Sequence, residues 1–189
     1  GLSVGGTSGL STLNADDTIT LADSGNALVG AVSVNTLGTA GDAQLVNSVA
    51  TDLGASAVNG ALDLASGGVV TQTGALSVAG NTALSTTGND LSITLTNSGN
   101  ALVGPVSLST LTTGALGGTV DLDNGTTPLE LAASTLGGAL SVDANGLTIT
   151  GGITAPGMDF SNAGAVTLGA ASVLLDASGG TGDVTFGSQ

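Results

Sequence analysis

Apolar and polar residues alternate in short runs about every ten residues along this chain. Examples are Thr18-Ile19-Thr20-Leu21, Ala31-Val32-Ser33-Val34, Ala75-Leu76-Ser77-Val78, Leu91-Ser92-Ile93-Thr94-Leu95, Leu147-Thr148-Ile149-Thr150 and Ala165-Val166-Thr167-Leu168. A period of two puts successive side chains on opposite faces, so each run predicts a β-strand with one apolar face. Gly, Asn, Asp or Ser bounds each run and predicts a turn. Ser24-Gly25-Asn26 and Ser98-Gly99-Asn100 read as the clearest turns, because Gly and Asn tolerate positive φ. A helical stripe (Leu45, Val49, Leu53) fits only 41–54, and its counterpart 114–122 is too glycine-rich for a helix. The chain is expected to be all-β.

The runs repeat at long range. Residues 2–37 recur at 76–111, offset by 74, and 22 of those 36 positions are identical. Ser24-Gly25-Asn26-Ala27-Leu28-Val29-Gly30 returns unchanged as Ser98-Gly99-Asn100-Ala101-Leu102-Val103-Gly104. Further on, Ala55–Leu64 matches Ala133–Val142 at an offset of 78. The second copy therefore carries four extra residues between Leu111 and Ala133 (78 − 74 = 4), expected as a loop on one face. Residues 1–189 read as one continuous segment with an internal repeat of about 74–78 residues (2–64 and 76–142), cut from or joined to something longer.

Two architectures suit short strands with such a repeat. A string of β-sandwiches needs longer units and core aromatics, and the chain has only Phe160 and Phe186. A right-handed parallel β-helix, or β-solenoid, fills its core with stacked aliphatic and small residues, which abound here. Coils of about 20 residues would give a rod of roughly nine coils and 45 Å. One repeat would then be a supercoil of three or four coils.

Composition narrows the function. There is no Lys, Arg, His, Cys, Trp or Tyr, against 13 Asp and one Glu, for a net charge of −14. Phosphate and nucleic-acid interfaces run on Lys and Arg, so both are excluded. With no cationic side chain, no carboxylate is expected to have a salt-bridge partner within the chain. All fourteen should therefore sit on the surface, in turns or on a metal, because a buried unpaired charge is very costly. Asp63 between Leu62 and Leu64, and Asp121 between Val120 and Leu122, fit that alternation. No run approaches the roughly 18 apolar residues of a membrane span. A chain without trypsin-type cleavage sites suits export to a protease-rich exterior.

At this point the residues resemble a family. Leu76–Thr86, followed by Asn89–Asn100 and Gly104-Pro105-Val106-Ser107-Leu108, is similar to the repeats of filamentous-haemagglutinin-like bacterial exoproteins, as are 162–169 and 182–187. The resemblance implies a right-handed β-helix, secretion across an outer membrane, and adhesive or matrix roles at the cell surface. The family often places Phe where Leu28 and Leu102 stand, its N-terminal secretion domain is absent from these residues, and it offers no catalytic residues.

The remaining motifs are weak. Gly1-Leu2-Ser3-Val4-Gly5 has the spacing of a nucleophile elbow but no His to serve it, and 75–79 loses both glycines. Asp121-Leu122-Asp123-Asn124-Gly125 fails the EF-hand spacing and reads as an acidic turn. Asp16 and Asp17 are adjacent, so in a strand they would face opposite ways. Thr18/Thr20, Thr71/Thr73 and Thr148/Thr150 do not recur at single-coil spacing, as an ice-binding face would need. Asn124-Gly125-Thr126 fits a glycosylation acceptor at close to chance frequency. Scattered acids without a base argue against a carbohydrate-cleaving β-helix. No catalytic, cofactor or metal residue is assigned, and no cofactor. The expectation is a non-enzymatic stalk, fibre or matrix segment of a secreted bacterial surface protein. Its partners would be itself and surface or matrix glycans. The alternative is a filament or sheath subunit that polymerises through its ends.

Overall fold

In a computed structural model, which describes residues 1–114, 117–180 and 182–187, the chain is a β-solenoid of about nine turns. No helix occurs among the described residues. Ten strands fill the first repeat: β1 (Ser3–Val4), β2 (Ser8–Ala15), β3 (Ile19–Leu21), β4 (Ala27–Leu28), β5 (Val32–Leu37), β6 (Ala43–Asn47), β7 (Thr51–Leu53), β8 (Ser56–Val58), β9 (Leu62–Ser66) and β10 (Val70–Gln72). The second runs β11 (Leu76–Val78), β12 (Thr82–Asn89), β13 (Ile93–Leu95), β14 (Ala101–Leu102), β15 (Val106–Leu111), β16 (Val120–Asp123), β17 (Leu129–Leu131), β18 (Ser134–Thr135), β19 (Leu140–Ala144) and β20 (Leu147–Ile149). The third begins with β21 (Ile153–Thr154), β22 (Met158–Ala163), β23 (Val166–Leu168), β24 (Leu175–Asp176) and β25 (Val184–Phe186).

The helical stripe over 41–54 is a coincidence of two strands. Leu45 points inward from β6 and Leu53 inward from β7, and a corner at 48–50 lies between them. The corner resets the two-residue alternation, so the eight-residue spacing carries no helical meaning.

Strands pair in parallel, strand n mostly against strand n+3. Each inward side chain thus sits over its counterpart in the next turn. One ladder runs Leu45, Leu64, Leu84, Leu108, all at most 2% exposed. Another runs Leu95, Leu122, Val142. Burying each such side chain is worth about 1.5–3 kcal/mol. The two aromatics also stack between turns, Phe160 over Phe186 with ring centroids 5.7 Å apart.

Ten strands per repeat do not divide into three per turn. A repeat therefore advances three and one-third turns, and its copy starts one column further round. Hence β2 and β5 lie in one sheet while their counterparts β12 and β15 lie in the other. The rotation happens where columns change hands. In each repeat one column stops, at β4 and again at β14. In each repeat another divides. Strand β5 supports β7 through Val32–Leu53 and β8 through Asn35–Ala57. Strand β15 supports β17 and β18 in the same way. The supercoil expected from the sequence is thus a stepwise exchange of faces.

Stopping and splitting a column both orphan main-chain groups, which must be paired when buried. Asn47 closes the first stopped column. Its Oδ1 accepts the Leu28 N–H at 2.8 Å, and its Nδ2 donates to the Leu28 carbonyl at 3.1 Å. The amide side chain stands in for the peptide group of a missing strand. Asn124 does the same for Leu102, at 2.8 and 3.1 Å. Both asparagines are buried. Serines stitch the splits. Ser56 Oγ accepts the Val34 N–H and donates to Gly54, and Ser134 Oγ accepts the Leu108 N–H and donates to Ala132.

The four extra residues divide between two corners. The first corner spans 38–42 in one copy and 112–119 in the other, where Ala115 and Leu116 lie outside the described residues. Counted from the equivalent Asn47 and Asn124, the second spans 48–50 and 125–128. Three residues enter the first corner, because Asn47 and Asn124 are offset by 77, and one enters the second.

Candidate functional site

The surface carries hydroxyls, amides and carboxylates. None of the fourteen acids is buried. Outward rows follow the ladders, as in Asp52, Thr71, Thr94, Asp121, Ser141 and Asp159. Shallow grooves run between turns. One is lined by Asp121, Ser141, Asp159, Asp183 and Thr185, another by Ser85, Ser107, Ser109 and Thr135 where β15 divides. Such rows offer hydrogen bonds to a polar partner. Among the described residues no three acidic side chains are grouped so as to hold a metal ion.

Several acids lock corners. Strand β2 ends at Ala15, and Asp16 and Asp90 adopt φ of 62° and 60° at equivalent places in the two copies. Asp16 Oδ1 accepts the N–H groups of Thr39 and Ala40, at 2.7 and 2.9 Å, from the next turn. These bonds hold its carboxyl below the usual carboxylate range. Asp90 accepts the Thr113 hydroxyl at 2.7 Å, the Thr112 hydroxyl at 3.0 Å and the Thr113 N–H, with the same effect. Asp16 and Asp17 follow the end of β2 in an exposed corner, where Asp17 accepts from Asn14 Nδ2 at 2.8 Å. Asp23 is lowered by the Gly25 N–H and by the terminal ammonium of Gly1, 3.0 Å away.

A carboxyl whose folded pKa lies below its unfolded value stabilises the fold above the unfolded value, and that contribution is lost as pH falls through the folded one. The unfolded value is about 3.9. Asp16→Asn and Asp90→Asn keep the acceptor shape but not its charge. They should melt below the parent at neutral pH, with the gap closing below about pH 4. A gap independent of pH, in thermal melts followed by circular dichroism, would refute the corner locks.

Ser3 is exposed on β1. Asp121 and Asp123 lie on β16, and Asp123 Oδ1 accepts the Gly125 N–H at 2.7 Å, closing a turn. Asn124, the glycosylation match, is fully buried as the column plug. Thr71 stacks on Thr94, and Thr148 on Thr167, but Thr94 is followed by Asp121 and Thr148 is preceded by Glu130. Leu28 and Leu102 are core residues. The turns at 24–26 and 98–100 exist without positive φ. Asn26 and Asn100 are there for their side chains, each buried and accepting a main-chain N–H, from Leu2 and Leu76, at 2.9 Å. Sequence reasoning missed these four asparagines. Their signal was a polar residue retained between copies at a corner.

Residues 1–35 and 40–109 match the family described as "Repeats of unknown function (DUF5649)". No curated protein and no solved structure matches the chain.

Proposed function

The chain belongs to the DUF5649 repeat family, and on that footing we propose that it is a structural rod segment of a secreted bacterial surface protein. The observation that carries this reading is the internal handover of columns. From β7 to β25 one ladder passes through seven strands without a break, and each interruption elsewhere is sealed by Asn47, Asn124, Ser56 or Ser134. A fold that spends its buried polar residues on continuity transmits load along its axis. An acidic, hydroxyl-rich exterior keeps such rods dispersed and offers hydrogen bonds to matrix or surface glycans. The likeness to filamentous-haemagglutinin-like repeats supports the same placement outside the cell. Antibodies against residues 1–189, applied to intact cells that make the protein, should label surface fibres in electron micrographs. Labelling only after lysis would overturn the proposal.

The second reading is a filament assembled from repeated copies. It is favoured by Val29 and Val103, apolar side chains left exposed at equivalent places in the two copies. Sedimentation that stays monomeric at rising concentration would remove it.

A further inference from the structure

We propose that Asn145 is a self-modification site, at which the folded chain converts an asparagine to aspartate and isoaspartate while two chemically identical neighbours are protected. The chain holds three Asn-Gly pairs: Asn59-Gly60, Asn124-Gly125 and Asn145-Gly146. In each, the glycine nitrogen can attack the asparagine Cγ. The Cγ–Nδ2 bond breaks, ammonia leaves with the proton shed by the glycine nitrogen, and a five-membered imide closes. Water then opens either carbonyl, giving aspartate or isoaspartate. The step needs a free, mobile glycine N–H and a side chain able to swing onto it.

Two of the pairs lack both. The Gly60 N–H donates to the Gly41 carbonyl at 2.9 Å, and Asn59 Nδ2 is held by the Thr36 carbonyl at 2.8 Å. The Gly125 N–H donates to Asp123 Oδ1, and the Asn124 amide is buried in the column plug. Asn145-Gly146 differs in its exposure and in its glycine N–H. It forms the two-residue corner between β19 and β20. Asn145 is exposed, and its one hydrogen bond runs from Nδ2 to the Thr126 carbonyl at the surface, at 3.2 Å. Among the described residues the Gly146 N–H has no partner. Gly146 has φ of 129°, and space around its Cα is open, with only the Ala165 carbonyl within reach of an added Cβ, at 3.9 Å. Reaction there is governed by local rather than global opening.

The consequence is local and one-way. Aspartate at 145 would set a carboxylate against the Thr126 carbonyl, next to the outward row in which Asp123 lies against Asp143. Isoaspartate would lengthen the main chain inside a corner whose flanking strands are registered on both neighbouring turns.

The test incubates the full chain, folded or in urea, at mildly alkaline pH. Elastase peptides are then read by mass spectrometry, with electron-transfer fragmentation to identify isoaspartate. In the folded chain the Asn145 peptide should acidify at least about tenfold faster than those of Asn59 and Asn124. In urea the three should converge to within about twofold. Asn145→Gln should remove the fast phase without creating another. Equal rates in the folded chain, or a faster Asn59 or Asn124, would overturn the assignment.

Discussion

Asn124→Asp should unfold the solenoid near neutral pH, although it exchanges one amide nitrogen for an oxygen. The side chain is fully buried. Its Nδ2 donates to the carbonyls of Leu102, Thr127 and Pro128, at 3.1, 3.1 and 3.2 Å. A carboxylate there would face three carbonyl oxygens with no cationic side chain anywhere in the chain to offset it. Burial of that kind raises a carboxyl's pKa. The variant's stability should therefore be regained as pH falls, the reverse of the Asp16 and Asp90 locks, because a raised folded pKa stabilises only below it. Asn124→Ala removes the plug without adding charge. It orphans the Leu102 N–H and carbonyl, at about 1–3 kcal/mol each, so roughly 2–6 kcal/mol in all. Asn47→Ala should behave alike at Leu28. Urea titrations of these variants decide the matter. Losses under about 0.5 kcal/mol would mean the plugs do not seal the columns.

Gly74→Ala should cost about 2–3 kcal/mol, and Gly151→Ala the same. These glycines hold equivalent corners in the two copies. A Cβ on Gly74 would run into the main-chain nitrogen and Cα of Ala55, and one on Gly151 into those of Ala133. In each case the obstacle is the backbone of the adjacent turn, so no rotamer change relieves it. The turns would have to separate, breaking the Gly74 and Thr73 N–H bonds to the Leu53 carbonyl. Gly6→Ala is the control. Nothing lies within 4 Å of its added Cβ, and the change should stay within about 0.5 kcal/mol of the parent. Equal melting temperatures for all three variants would show that turn spacing is not set by these corners.

Alternation in Leu91–Leu95 and Leu147–Thr150 revealed strands, because a two-residue period has one structural meaning. Outward acids such as Asp63 and Asp121 were legible for the same reason, and because an unpaired charge has nowhere else to go. The turns at 24–26 were found with the wrong cause, since Asn26 is selected for its buried amide rather than for positive φ. The acidic reading of 121–125 missed that Asn124 faces inward, because a corner cancels the alternation that orients a side chain.

An all-β chain of stacked aliphatic turns, a long repeat and a surface without cations can all be read from the order of residues alone. Those follow from local periodicity and from the cost of burying charge, which need no partner to be known. That the repeat spans ten strands against three per turn, so that each copy begins on a new face, emerges only once the turns are stacked. It rests on which strand lies over which. Parallel pairing between turns joins residues some 20 positions apart, and no local pattern records where a column stops at Asn47 or divides above β5.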